Sequence, residues 1–287
     1  MEKILELGKN SYRFLRRWLR LGQFYAGGKK PWRKGYFEYK WRAITKAINN
    51  LKLTKVFERA DALPKQYGFG IDERIVELPW ALAQLPEQPL KLLDAGSTLN
   101  FLPLIAHPKS KNKKLTIITL APETNDFSRQ GVSYVYGDIR DLPFEDQSFD
   151  HVTCLSTLEH IGLDNQSIYT SDQKYAENRP TDYLLATKEL YRVLRPGGVL
   201  LLTVPFGVYD NIGFMQQFTP AMVDTVVSAC PWRQSAVTYY KYNKDGWDIS
   251  TREQASGAKY FNIHATKIIE ADGAAAARAV ACLKLIK

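Results

Sequence analysis

The chain reads as an α/β protein: a mostly parallel, seven-stranded sheet with helices on both faces, preceded by a basic helical arm. Three observations point there. Short apolar runs at 92–94, 115–120, 132–136, 151–155 and 199–204 are separated by loops and helix-like stretches, the pattern of parallel strands joined by crossovers. The first run ends in Asp94-Ala95-Gly96-Ser97-Thr98, where an acid and a glycine mark a tight turn that lets backbone approach a ligand. A helical stretch over 182–194 is stopped by Pro196-Gly197-Gly198 and leads straight into the run 199–204.

In chain order, 4–25 reads as a helix in which Leu5, Leu15, Trp18, Leu19 and Phe24 interleave with Arg13, Arg16, Arg17 and Arg20. Gly27-Gly28-Lys29-Lys30-Pro31 breaks it, and 32–53 reads as a second helical stretch. Tyr67-Gly68-Phe69-Gly70 is a turn, and 71–82 a helix with Pro79 inside it. After the first strand, 99–106 begins a helix interrupted by Pro103. Thr219 and Pro220 suit the N-cap and first position of a helix over 218–229. The runs 235–242 and 279–286 read as the last two strands, joined by a long polar segment. The arm is taken as 1–60 and the α/β body as 61–287.

Composition narrows the class. With 287 residues and 45% apolar content, the chain can bury a sizeable core. No run reaches the roughly 18 apolar residues a membrane span needs, and the N-terminus shows no secretory pattern. Cys154, Cys230 and Cys282 are too scattered for a disulfide framework or a metal site, so a cytoplasmic protein with reduced thiols and no bound metal is expected. Charge is uneven. Residues 1–50 hold thirteen Lys or Arg against three Glu, a local +10 within a total of +9, so the remainder sums to −1. Three readings of the arm stay open: a stripe packed on the body, a peripheral contact with an anionic membrane surface, and a surface for phosphate-bearing partners including nucleic acid, the last ranked below the others.

Three phrases carry a family resemblance: Gly137-Asp138-Ile139-Arg140-Asp141-Leu142-Pro143-Phe144 running on to Ser148-Phe149-Asp150, then Leu158-Glu159-His160-Ile161-Gly162, then Glu189-Leu190-Tyr191-Arg192-Val193-Leu194-Arg195-Pro196-Gly197-Gly198. In order and spacing, 90–208 resembles the class I S-adenosylmethionine-dependent methyltransferases, in particular the type 11 family, with their Rossmann-like fold. The resemblance implies S-adenosyl-L-methionine as cofactor. Asp94 would steady its cationic end, directly or through the loop. Ala95 and Gly96 would bring backbone close, and Ser97 and Thr98 would bond the methionine part. Asp138 would accept from the adenine amine beside the Ile139 backbone, and Leu155 and Ser156 would line the transfer side. Two positions depart from the family pattern. Thr98 and Asn100 stand where later glycines are usual; Asn tolerates the left-handed conformation, Thr does not. The acid expected at the end of the second strand is missing, and Glu123 comes slightly late but can reach back.

The chemistry needs mainly an acceptor aligned with an electrophilic methyl, plus a base where the acceptor loses a proton. His160 is the candidate base, with a structural role as its alternative. Tyr67, Glu73 and Arg74 could border the cofactor or substrate. Tyr169, Tyr175, Arg179, the loop 206–211, Tyr242 and Trp247 are acceptor-side candidates. The expected function is methylation, on oxygen, of a small-molecule or glycan-type acceptor. A non-catalytic binding or scaffold protein, and an RNA-directed methyltransferase using the arm, are the alternatives.

Overall fold

The computed structural model describes residues 15–166 and 169–287. The N-terminal part of the expected first helix, with Leu5 and Arg13, lies outside them. Helix α1 is described over 15–26. It is followed by α2 (Tyr36–Ile48), α3 (Leu51–Arg59) and α4 (Arg74–Gln84). The stretch expected as one helix over 32–53 is two, because the Asn50 side chain accepts from the Lys52 and Leu53 amides and starts α3 afresh.

The sheet has eight strands in the order β3-β2-β1-β4-β5-β10-β8-β9, and β6 (Asp210–Asn211) pairs separately with β7 (Gln216–Gln217). Strands β1 (Lys91–Ala95), β2 (Lys114–Thr119), β3 (Ser133–Tyr136), β4 (Phe149–Leu155) and β5 (Leu194–Pro205) run parallel. Strand β10 (Ala279–Ile286) enters antiparallel between β5 and β8 (Gln234–Asn243). All seven expected strands are present. The eighth, β9 (Gly246–Ser250), hairpins onto β8 through a turn that Gly246 permits at φ 98°. The polar residues Lys244 and Asp245 of that turn hid it within an apparent loop.

Alternating residues send the sheet's apolar side chains to opposite faces. Leu92, Leu115, Ile117, Leu201 and Tyr240 pack under α2, α3 and α4 through Ile44, Phe57, Ile75, Leu78 and Trp80. Leu93, Val152, Cys154, Leu202 and Leu283 pack under α7 (Tyr183–Val193) and α8 (Pro220–Ser228). Thr219 caps α8 as expected, accepting from the Met222 amide. Residues 36–59 thus contribute Ile44, Ile48 and Phe57 to this core. Buried Asp72 locks this arrangement, accepting from Tyr36 Oη at 3.0 Å and Lys40 Nζ at 2.7 Å.

The helix after β1 is smaller than expected. It shrinks to α5 (Leu102–Ile105) and α6 (Pro108–Lys111), because Pro103 and Pro108 each lack an amide donor and restart the chain. In α4, by contrast, Pro79 sits inside the helix without ending it. Among the described residues no helix is long and apolar enough to cross a membrane.

Candidate active site

The site grows from the carboxyl ends of β1, β2 and β4, where open parallel sheets bind ligands. The turn after β1 holds Gly96 at φ 105° and Ser97 at φ 63°. A Cβ on Gly96 would overlap the Thr157 side chain. The left-handed residue beside Gly96 is thus Ser97; Asn100, expected to take that conformation, does not, and serves the loop through its amide. Asn100 Nδ2 and Ser97 Oγ both donate to Glu123 Oε2, at 2.9 and 2.8 Å. Glu123 does reach back to the first loop. Thr98 Oγ1 donates 2.7 Å to the Leu155 carbonyl and ties this loop to the end of β4.

Asp94 is fully buried. Its Oδ2 accepts from the Leu99 amide at 2.7 Å, and its Oδ1 from Thr153 Oγ1, across the β1–β4 pairing, at 2.9 Å. Its action on any ligand is therefore through the loop. Burial raises its pKa to about 7, the two hydrogen bonds opposing only part of the effect. A carboxyl raised on folding contributes most below its unfolded value of about 3.9, and that contribution is lost as pH rises toward 7. Asp94→Asn is expected to remove this slope. The difference in unfolding free energy between wild type and variant should drift by up to roughly 4 kcal/mol between about pH 4 and 7, read by denaturant melts; parallel curves would refute the assignment.

A cleft opens above this loop. Gly96, Thr119, Leu120, Gly137 and Ile139 form one wall; Thr157, His160, Ile161, Asn165 and Tyr169 form the other. Asp138, between two wall residues, turns its carboxylate to Arg140, whose Nη2 lies 2.6 Å away. Burial pushes its pKa up, but the Arg140 bonds and charge outweigh this and hold it low. Arg140 also pairs with Glu177 and Asp182, binding the loop after β3 to the chain before α7. Ala95 is buried in the core beneath the cleft. Leu155 and Ser156, expected to line the transfer side, instead face inward. The Leu155 carbonyl accepts from Thr98, Thr157 and Arg74, and Ser156, at φ 39°, donates from Oγ to Glu77 at 2.5 Å.

Glu77, on α4, is the residue sequence reading passed over. Its side chain is fully buried and accepts from Ser156 Oγ, Thr203 Oγ1 at 2.7 Å and Arg74 Nη1 at 3.2 Å. It thereby joins α4 to the ends of β4 and β5. Its position in the middle of a helix-like run gave no sign of this. Arg74, singled out from sequence, stands at the end of β4, 3.1 Å from the Leu155 carbonyl. Glu73 and Glu159 lie in the same electrostatic neighbourhood, and burial raises the pKa of both.

His160 lines the cleft. Its Nδ1 lies 2.8 Å from the Phe214 carbonyl, with the ring stacked on Phe214 and edge-on to Tyr169. A carbonyl only accepts, so Nδ1 carries the proton and Nε2 keeps its lone pair. Burial lowers the imidazole pKa to about 4, keeping it neutral at ordinary pH.

Three candidates belong elsewhere. Tyr67 is turned into the protein, donating 2.6 Å to the Ile75 carbonyl and packing on Phe57. Tyr242 and Trp247 are buried, bonded to Gly70, Asp272 and Ile71. Their apolar bulk completes the core under α4. Of the remaining acceptor-side candidates, Tyr175 is buried, Phe206 sits in the core, and Arg179 pairs with Glu177 and Asp182.

Residues 93–202 match the family model described as methyltransferase domain. Demethylmenaquinone methyltransferase of Staphylococcus aureus is 39% identical over 74 residues, 26% of this chain and 23% of the relative. The chain thus spans about a quarter of the length of the curated relatives it matches. Among solved structures, a possible histamine N-methyltransferase from Thermotoga maritima aligns over 86% of this chain and 100% of its own, at 14% identity and a TM-score of 0.47. The 1,6-didemethyltoxoflavin-N1-methyltransferase of Burkholderia thailandensis aligns over 74% and 79%, at 14% identity and a TM-score of 0.46.

Proposed function

We propose that the chain transfers a methyl group from S-adenosylmethionine to an oxygen of a small-molecule or glycan-type acceptor. The observation that carries this reading is the cleft over β1, β2 and β4, within the segment that matches the methyltransferase domain. The bound donor supplies a sulfonium-activated methyl. The lining supports the reading: Leu120 and Ile139 offer an apolar wall to a flat base, and Gly137 leaves that wall without a side chain. Glu123, braced on Oε2 by Ser97 and Asn100, stands ready to accept from ribose hydroxyls. Arg74 brings positive charge to the end of β4, suited to the carboxylate of the methionine part.

The transfer on oxygen rests on His160. Its fixed tautomer presents an unprotonated nitrogen to the hydroxyl proton of an acceptor. The imidazolium formed takes the place of the positive charge that the cleft holds before transfer. His160→Asn keeps a donor for the Phe214 carbonyl but has no basic nitrogen. It is expected to lose roughly 100-fold or more in transfer rate while binding donor unchanged. Labelled donor with a cell extract identifies the product, and the rate is then measured on it. Full activity of the variant would end the base assignment, and absence of heat on titrating the protein with donor or its demethylated product would end the enzymatic reading.

A further inference from the structure

We propose that the outward face of α1 is a docking surface for an anionic phospholipid bilayer. The proposal stands apart from the methyl-transfer reading.

Helix α1 has two apolar faces. One holds Leu21 and Phe24, only 4% and 2% exposed, with Phe24 packed on Tyr36 and Tyr39. The other holds Leu15, Trp18 and Leu19, at 61%, 51% and 68% exposure. Positions i, i+3 and i+4 share one side of a helix. At 3.6 residues per turn Leu15 and Leu19 lie across the axis from Leu21 and Phe24, with Trp18 between the two faces. The docked face buries one stripe of the helix, while Leu15 and Leu19 stand out in solvent.

The charge around this patch has one sign. Arg16 and Arg17 are exposed on α1, and the Arg42 guanidinium lies 5.4 Å from the Trp18 ring. Lys30, Arg33 and Lys34 are exposed in the turn that follows. Glu38 is the single acid within 15–50, and it pairs with Arg20 at 2.8 Å. Bulky leucines amid cations fit a bilayer, whose acyl boundary takes the apolar side chains while its phosphates take the charges. A nucleic acid would use the charges and leave the leucines in water.

The test is flotation of the full chain with vesicles of phosphatidylglycerol mixed into phosphatidylcholine, against vesicles of phosphatidylcholine alone, at 0.1 M salt. Binding to the anionic vesicles at least tenfold tighter than to the neutral ones is expected. Leu15→Glu/Leu19→Glu should weaken it at least tenfold, and Arg16→Gln/Arg17→Gln should weaken it while flattening its salt dependence. Thermal melting and calorimetry with the demethylated donor product should be unchanged in both variants, which separates loss of docking from loss of fold or cleft. No binding to anionic vesicles, or undiminished binding by the leucine variant, overturns the proposal. So does tight binding to single-stranded RNA that the leucine variant retains in full, or a dimer that the leucine variant dissolves in the absence of vesicle binding.

Discussion

Glu77→Ala is expected to lower the unfolding free energy by about 3–5 kcal/mol, the usual result of removing one partner from a buried ionic network. The carboxylate is fully enclosed, and three donors converge on it: Arg74, Ser156 and Thr203. Alanine would strand all three in an interior where no water replaces the lost acceptor. Glu77→Gln should cost less, since its carbonyl oxygen still accepts from one or two of them. Urea denaturation at neutral pH gives the numbers. A loss below about 1 kcal/mol for alanine would show that the network is solvated in solution. Because Ser156 precedes Thr157 of the cleft lining, donor affinity should fall along with stability in the alanine variant.

Gly96→Ala is the change expected to act hardest on the cleft. At φ 105° an L side chain is strained wherever it sits, and here the added carbon would overlap the Thr157 hydroxyl and methyl. The Gly96 amide donates 2.9 Å to the Ile118 carbonyl, so the turn cannot shift without breaking its tie to β2. Backbone strain of this kind is worth roughly 1–3 kcal/mol, and the collision adds to it. Donor affinity, read by calorimetry with the demethylated product, should fall at least 100-fold. Pairing the change with Thr157→Ser removes the methyl contact while leaving the φ penalty, and should restore only part of the affinity. Unchanged binding by the single variant would place the ligand elsewhere.

The sheet was readable from sequence because its strands are apolar runs bounded by punctuation that only turns tolerate, such as Asp94-Ala95-Gly96 and Pro196-Gly197-Gly198. Gly96, Ile139 and His160, all named from sequence, line one cleft. What sequence could not carry was side-chain direction. Asp94 and Ser156 lie in the right loops, yet bond inward. Glu77 sits 79 residues from Ser156 and 126 from Thr203 in the chain, so only folding brings the three together. Tyr242 and Trp247 looked like rim aromatics because their neighbours are polar, but the alternation of β8 and β9 turns both of them inward. Residues 36–59 carry a basic surface over an apolar stripe that packs on the body, which net charge alone left beside two other readings of the arm.

The position of β10 bears on how the molecule is made. Synthesis delivers β5, then β8 and β9, and only afterwards the strand that lies between β5 and β8. Until residues 279–286 emerge, two long strands present open hydrogen-bonding edges to other nascent chains. The half-built sheet is therefore a period of exposure to mispairing, and ribosome-bound chains stalled before residue 279 should be the species on which holding chaperones act most strongly.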